Sequence, residues 1–375
     1  MRNKTVAKRI AALLLAAGMT AGMAACGSDG NNSGDAERKS AESIKEDNQA
    51  ADDVSEESAE DEAEEAQSAK KTEYPLTITT YTYEGEELTT VYEKAPEKVL
   101  AVYQGSIETM LALGLEDHIA AAAGLDNEVP DEQKAAFSEV NYLDEFTPSL
   151  ETATMLEPDM IFSWGSLFSE KTLGDSAGWV DKGVNTYINT NTHKSAEPYN
   201  KTLENEYQDI LNIGKIFDVQ DKAEAIVNEM RDTVSHVLEQ TEDQTEKPTA
   251  MIIEFLGDSI SNYGADSLGG DMVTQLGATL ASPDASTLGK EDIVNADPDV
   301  IFVVYMPYTG DDPDEVRETN LQKLTGDEAF GSLSAVKNGR VVPIMLSEMY
   351  ASATRTQDGI ITFANGLYPD LNLEA

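Results

Sequence analysis

The sequence predicts an α/β protein built from two Rossmann-like lobes, each with a mostly parallel sheet, joined by one long α-helix. Three observations favour this fold class. A segment with the pattern helix, Pro-Asp and apolar strand occurs twice, and each copy follows a strand pattern that leads into a helix pattern. An amphipathic stretch without glycine or proline separates the two halves. Repeated β/α units of this kind are typical of α/β folds with parallel sheets.

The chain divides into five predicted segments where its composition changes. Its length is sufficient for two lobes. We predict a signal peptide over residues 1–25 and a lipidated N-terminus with a disordered acidic tether over residues 26–75. An N-terminal lobe (76–219), an interlobe helix (220–243) and a C-terminal lobe (244–375) follow.

The N-terminus has the pattern of a bacterial secretory leader. Four basic residues are followed by an apolar run of about fifteen residues, which is shorter than the roughly 20 that span a membrane. Met23, Ala24 and Ala25 then precede Cys26, the only cysteine in the chain. This junction resembles the lipobox of bacterial lipoproteins, with Met23 where leucine is usual. The resemblance implies diacylglycerol and palmitate on Cys26; the alternative is an ordinary signal peptide with an incidental cysteine.

The segment after Cys26 is strongly acidic. Residues 51–66 contain nine acidic residues and no basic one, and residues 27–75 show almost no apolar periodicity. Such a segment cannot bury enough apolar surface to offset its ordering entropy, and like charges extend it. We therefore predict a solvated tether between a membrane and a folded body.

Net charge and residue types exclude several classes of partner. The formal net charge is −44, which opposes binding to nucleic acid because phosphates require basic side chains. One cysteine permits neither an internal disulfide nor a thiolate metal site. His118, His193 and His236 lack metal-ligand spacing, and of these only His193, in a polar loop after a strand, is expected to reach a cleft. We predict no resident metal and no cofactor.

Two segments 140 residues apart share a sequence pattern. Residues 151–162 and 291–302 both contain Glu, five residues, an acid, Pro-Asp, an aliphatic residue and Ile-Phe. A short helix is expected to begin near Glu151 and Glu291 and to end before the proline, because proline disfavours a helical predecessor. The continuous apolar run that follows is typical of a strand buried on both faces of a parallel sheet.

The residues around these copies complete the two predicted lobes. Strand patterns at 98–103 and 250–255 each lead into a helix pattern. Between the halves, residues 221–240 have apolar side chains at helical spacing, with Asp221 as the predicted N-cap. We expect this helix to join the lobes and leave a cleft between them, where ligands commonly bind.

The order of these features resembles the solute-binding lipoproteins of ABC importers, in the class that binds ferric siderophores, haem or cobalamin. The resemblance covers roughly residues 95–370 and is carried by segments 96–124, 149–164, 288–305 and 333–344. It implies a monomeric, lipid-anchored receptor on the extracytoplasmic face of the cell membrane. The receptor would capture an iron complex, a ferric siderophore, and deliver it to a permease dimer with its ATPase.

The alternatives within this class are cobalamin and haem. A different class would be an anchored esterase-like enzyme, or a sensor or adhesin without a transport role. GDSAG at residues 174–178 lacks the preceding strand of a nucleophile elbow. LGDS at residues 256–259 follows a strand, but no histidine follows His236 to act as general base. We therefore predict that the protein is not an enzyme.

The resemblance also implies site residues. Glu151 and Glu291 correspond to the acids that dock onto permease arginines, although an acid at a helix N-terminus is also favoured by the helix dipole. Arg355 is the arginine best placed for an anionic group, and the small number of arginines predicts a neutral or weakly charged ligand. Aromatic residues in the loops suit a bulky organic ligand. The predicted ligand contacts are Tyr103, Gln104, Ser106, Trp164, Tyr263, Tyr305, Tyr350 and Arg355.

Overall fold

A computed structural model describes residues 71–194 and 201–374. The predicted signal peptide, Cys26 and the tether as far as residue 70 lie outside the described residues. No helix within the described ranges combines the length and the apolar character that crossing a membrane requires.

A hairpin that the sequence analysis did not predict opens the described chain. Strands β1 (Leu76–Tyr81) and β2 (Glu87–Tyr92) pair antiparallel and bury Tyr92. A hydrogen bond joins the hairpin to the N-terminal lobe: the Asn185 side chain donates to the Val91 carbonyl at 3.0 Å.

The N-terminal lobe contains a four-stranded sheet in which every strand is parallel to its neighbours. Its spatial order is β4-β3-β5-β6. The apolar runs form strands that are almost wholly buried, as predicted. The strands are β3 (Val99–Val102), β4 (Ile119–Ala123), β5 (Met160–Ser163) and β6 (Asn185–Ile188), and the helices are α1 (Gln104–Ala112), α2 (Lys134–Phe137), α3 (Leu150–Met155), α4 (Ser176–Val180) and α5 (Leu203–Ile216).

The interlobe helix is α6 (Gln220–Gln240), which spans 21 residues as one piece. Two details of the prediction were wrong. Asp221 lies in the first turn rather than at the N-cap, which is Val219 and makes no side-chain capping bond. Leu238, one of the apolar side chains at helical spacing that were expected to face the core, is 43% exposed, and its neighbour Val237 is buried instead.

The described C-terminal lobe has a six-stranded sheet of order β10-β8-β7-β11-β12, with β9 also paired to β7. β9, β7, β11 and β12 run parallel, whereas β8 and β10 form an antiparallel edge. The strands are β7 (Thr249–Leu256), β8 (Ser259–Asn262), β9 (Thr279–Leu280), β10 (Thr287–Leu288), β11 (Val300–Tyr305) and β12 (Val341–Met345), and the helices are α7 (Leu268–Gln275), α8 (Lys290–Ala296), α9 (Pro313–Thr325), α10 (Ser334–Lys337), α11 (Leu346–Met349) and α12 (Thr356–Leu367).

The repeated segment has the same structural role in both lobes. The Asp159 side chain accepts a hydrogen bond from the backbone N–H of Lys98, next to β3. The Asp299 side chain accepts the equivalent bond from the backbone N–H of Thr249 in β7. The acid before each proline adopts positive φ, at 47° for Glu157 and 37° for Asp297, and thereby ends the preceding helix. The Pro-Asp pattern thus terminates a helix and aligns two parallel strands, which accounts for its occurrence twice.

Alternate residues along the central strands face two different cores. Val99 of β3 and Ile252 of β7 belong to one large apolar cluster that also includes Val227 of the interlobe helix. Leu100 and Ile253 face separate outer cores, one in each lobe. The two lobes therefore share a continuous apolar interior along α6.

Candidate ligand-binding site

The carboxyl ends of β3 and β5 bring two predicted site residues together. Tyr103 follows β3 and Trp164 follows β5, and these strands are parallel neighbours with Val102 opposite Ser163. Residues that follow adjacent parallel strands emerge at the same edge of the sheet. The Tyr103 and Trp164 rings stack with centroids 4.2 Å apart and planes 14° from parallel.

The C-terminal lobe contributes rings to the same place. Tyr350, directly after α11, meets Trp164 edge-on at 5.8 Å, and Tyr263, directly after β8, meets Tyr350 edge-on at 6.2 Å. Phe146 approaches Tyr103 at 6.1 Å. We call these five residues the aromatic cluster. It joins four of the predicted ligand contacts across the boundary between the lobes.

Two tyrosines of the cluster each donate a hydrogen bond to a different carboxylate. The Tyr103 hydroxyl donates to Asp126, and the Tyr263 hydroxyl donates to Glu254 at 2.7 Å. Burial raises the pKa of both carboxyl groups, and the tyrosine hydrogen bonds act in the opposite direction. Burial and the adjacent carboxylates also raise the pKa of the two tyrosines. The phenols are therefore fixed as donors.

Two further groups of the cluster are available to a ligand. The indole N–H of Trp164 is buried and makes no hydrogen bond to any described residue. A buried donor without a partner is costly, and an acceptor on a ligand would satisfy it. The ammonium of Lys201 lies 4.2 Å from the centroid of the Tyr350 ring, in a cation–π contact.

Gln104 and Ser106 support the site from within the lobe. Gln104 donates to Glu108 at 2.5 Å and accepts from the backbone N–H of Asp126 at 3.0 Å, so that it positions the loop carrying Asp126. Ser106 is fully buried and donates to Asn189 at 3.0 Å. Their positions do not support the prediction that these side chains contact a ligand.

Arg355 has a different role from the one predicted. Its Nε and Nη2 donate to the two carboxylate oxygens of Glu108, at 2.7 and 2.6 Å, and Nη2 also donates to the Glu128 carbonyl at 2.8 Å. The Glu108 side chain is fully buried and that of Arg355 is 10% exposed. Because Glu108 neutralises it, the guanidinium is not free to bind an anionic ligand; it joins the two lobes.

Tyr305 lies apart from the aromatic cluster. It ends β11, is half-buried, and makes no ring contact with the cluster among the described residues. Burial raises its pKa, and the charge of Glu348 adds to that rise. Tyr305 therefore remains a predicted ligand contact that the geometry does not connect to the other rings.

The sequence analysis missed four residues at the site: Phe146, Lys201, Asp126 and Glu254. The sequence did contain an indication of one of them. Glu254 interrupts an otherwise apolar strand, and a charged side chain in a buried strand requires a nearby partner. Asp126 follows β4 and could have been inferred only from the strand order. No pattern in the sequence indicated Lys201.

The two predicted docking acids occupy equivalent positions. Glu151 is the second residue of α3 and Glu291 the second residue of α8, and both are exposed. Each helix leads into the central strand of its lobe, β5 or β11. The repeat thus presents one exposed carboxylate on each lobe in the same local setting.

The remaining candidate motifs have structural roles. Asp175 of GDSAG accepts from the backbone N–H of Gly178 and caps α4, and LGDS forms the turn between β7 and β8. His118 contacts the Pro96 carbonyl, and His193 is only 7% exposed. In residues 71–194 and 201–374, no three His, Cys, Asp or Glu side chains are grouped so that they could hold a metal ion.

A two-lobed α/β body with one connecting helix, and with aromatic side chains gathered where the lobes meet, has the architecture of a solute-binding protein. The family model described as periplasmic binding protein matches residues 99–345. The chain therefore belongs to the periplasmic binding protein family, which confirms the predicted fold class and family.

Individual relatives agree with this membership. The petrobactin-binding protein YclQ of Bacillus subtilis (strain 168) is 28% identical over 272 residues, 69% of this chain and 78% of the relative. A periplasmic binding protein from Veillonella parvula DSM 2008 has a TM-score of 0.74 at 29% identity, over 80% of this chain and 94% of that one. An ABC-type Fe³⁺-hydroxamate transport protein from Saccharomonospora viridis DSM 43017 shares the fold, with a TM-score of 0.62 at 21% identity, over 79% and 100%.

Proposed function

We propose that this protein captures a ferric siderophore at the aromatic cluster and delivers it to the permease of an ABC importer. One observation carries the proposal: rings from both lobes converge at their boundary, where the buried indole N–H of Trp164 has no partner among the described residues. Rings of this kind contact a bulky organic ligand at small entropic cost. The petrobactin-binding relative supports the ligand class.

Binding is proposed to involve modest closure of the lobes. The lobes share an apolar core along α6. Buried polar contacts also cross between them: Arg355 bonds Glu108, and Glu206 accepts from the backbone N–H of Ala353 at 2.6 Å. Wide opening would break both contacts and expose the shared apolar core to water.

The cellular setting is proposed from the sequence pattern. Cys26, acylated after removal of the leader, would anchor a monomer to the extracytoplasmic face of the cell membrane, and the acidic segment would act as its tether. Glu151 and Glu291 would then meet arginines of the two permease subunits. A two-lobed receptor and a two-fold permease require equivalent contacts, which the repeat supplies.

The ligand class can be tested by tryptophan fluorescence. The chain has two tryptophans, Trp164 in the aromatic cluster and Trp179 in the outer core of the N-terminal lobe. In W179F, Trp164 is the sole reporter. We expect a ferric siderophore to quench its emission with micromolar or tighter affinity. If ferric siderophores, haemin and cobalamin all leave the emission unchanged at micromolar concentrations, the proposal is wrong.

Trp164 should contribute directly to affinity. Trp164→Ala removes two ring contacts and the unpaired N–H, so we expect affinity for the bound ferric complex to fall by at least about tenfold. Trp164→Phe retains a ring without the N–H donor, so its affinity should lie between those of the wild-type protein and W164A. Isothermal titration calorimetry gives the affinities, with W179F as the matched tryptophan control; equal affinity of W164A and W179F would contradict the site.

A further inference from the structure

The described arginines leave no guanidinium for an anionic ligand. Each of the four in residues 71–194 and 201–374 is engaged elsewhere. Arg231 pairs with Glu204 at 3.1 Å, Arg317 with Asp314 at 2.9 Å and Arg355 with Glu108 at 2.6 Å. Arg340 donates to the carbonyls of Gly366 and Leu367 at 2.7 and 2.9 Å.

Carboxylates lie beside the aromatic cluster instead. Asp126 is in contact with Tyr103 and Glu254 with Tyr263, one from each lobe. Both lie near the Tyr308 loop: the backbone N–H of Thr309 donates to the Asp126 carbonyl at 2.8 Å, and partial burial, followed by the charges of Asp126 and Glu254, raises the pKa of Tyr308. The two carboxylates therefore face the same region of the boundary.

Two described lysines lie near the site, one beside Glu254 and one beside a ring of the cluster. The charge of Lys323 lowers the pKa of Glu254, while its ammonium bonds Asn320 at 2.9 Å on α9. Lys201 lies over the face of Tyr350 at 4.2 Å. The chain's own ammonium thus occupies a ring face of the cluster, which shows that this face accepts a cation.

We propose that the site selects ferric complexes that carry a protonated amine, received by the ring faces of the cluster, with the carboxylates of Asp126 and Glu254 beside Tyr103 and Tyr263 as its counter-charges. This inference rests on the proposed function and specifies its ligand class. The iron-coordinating part of the complex would offer an oxygen to the Trp164 N–H. Polyanionic complexes such as ferric tris-catecholates are repelled by these carboxylates and bind more weakly.

A matched pair of probes isolates the charge. The first is a linear ferric trihydroxamate with a free terminal amine, and the second is the same compound with that amine N-acetylated. Calorimetry should give about tenfold tighter binding of the amine form, the size of a desolvated cation–π contact with counter-charges. Equal or tighter binding of the acetylated form overturns the inference.

Variants then locate the cation. Asp126→Asn and Glu254→Gln keep an acceptor for each tyrosine and remove the charge, so each should lower the preference for the amine form by about threefold or more. Lys201→Met removes the competing ammonium and should raise the affinity of the amine form. Glu242→Gln, an exposed acid just beyond α6, should leave the preference unchanged. An unchanged preference in D126N, E254Q and K201M would overturn the assignment.

A third probe separates this inference from the function on which it rests. A ferric tris-catecholate should bind more weakly than either trihydroxamate. If it binds most tightly, the charge selection is wrong and the siderophore-binding function stands. If none of the three iron complexes binds a protein whose circular dichroism shows it to be folded, both are wrong.

Discussion

Arg355 and Glu108 form a bidentate ion pair between the lobes. Arg355 lies 247 residues after Glu108 in the chain, and both oxygens of the carboxylate accept hydrogen bonds from the guanidinium. Glu108 in turn accepts from Gln104, whose other end holds the backbone of Asp126. One buried ion pair thus connects the C-terminal lobe to the loop that supports Tyr103.

Removing one partner of this pair should be strongly destabilising. Arg355→Met leaves Glu108 buried without a counter-charge, and we expect the free energy of unfolding to fall by about 3–5 kcal/mol. The double variant E108L/R355M removes both charges and should cost less than R355M alone. Urea denaturation measures both. A loss below about 1 kcal/mol for R355M would contradict the buried ion pair.

Helices α5 and α12 fix how the elements pack around the boundary between the lobes. Glu206 on α5 bonds the backbone N–H of Ala353, and Gly366 near the end of α12 faces the ring of Phe302 on β11. A side chain at Gly366 would collide with that ring. Close packing of α12 on the sheet therefore depends on a residue without a Cβ.

We expect Gly366→Ala to lower the free energy of unfolding by about 1–3 kcal/mol, because the added methyl group overpacks the core. Gly331→Ala is the matched control, since a Cβ at that position meets the nearest atom at an ordinary 3.4 Å. Thermal unfolding compares the two. Equal stability of the two variants would show that α12 can shift without cost.

The carboxyl groups of α5 predict a pH dependence of stability. Burial raises the pKa of Glu206 to about 7 and that of Asp209 to about 8. In the unfolded chain they ionise near 4.5 and 3.8, so above about pH 4.5 the unfolded state binds fewer protons than the folded state. The stability that these two groups contribute is fully present below their unfolded-state pKa values. It is lost as the pH rises through their folded-state values of about 7 and about 8.

Glu206→Gln should therefore flatten the pH profile. Relative to E206Q, the wild-type protein should lose up to about 3 kcal/mol between about pH 5 and pH 8. Glu139→Gln, at an exposed position, corrects for the general change in charge. The midpoint of urea unfolding across this range is the measurement. Parallel profiles for wild type and E206Q would show that Glu206 titrates normally.

At the scale of the whole molecule, each of the two lobes presents one of the predicted docking acids at an exposed helix start. Glu151 and Glu291 stand at equivalent helix starts, each as the second residue of its helix. The proposed roles in ligand capture and in delivery thus rest on different residues. This separation makes the two roles independently testable.

The double variant E151A/E291A should bind the ferric complex with unchanged affinity and reduce its uptake by cells at least about tenfold, because a charged contact with the permease would be lost on both lobes. Glu139→Ala, also in the N-terminal lobe, is the control for uptake. Normal uptake by the double variant at equal protein abundance would exclude these acids from docking.

Much of this architecture was predictable because it depends on local patterns. Apolar runs buried on both faces, prolines that end helices and an uninterrupted amphipathic stretch identified the central strands and α6 within a few residues. The β1–β2 hairpin was missed, because Thr-rich strands of partly polar character resemble the acidic segment before them. The repeat around Pro158 and Pro298 correctly indicated two similar lobes.

The sequence by itself determined the fold class, since strand ends and helix starts can be located from periodicity, and its resemblance to a known family implied the family and most of the converging rings. Only the tertiary structure decided which polar groups are already engaged. Arg355 was expected to face a ligand and is instead neutralised by Glu108, and Ser106 is buried against Asn189. The reason is physical: partners from distant parts of the chain depend on how the two lobes pack, and no spacing within one segment encodes that.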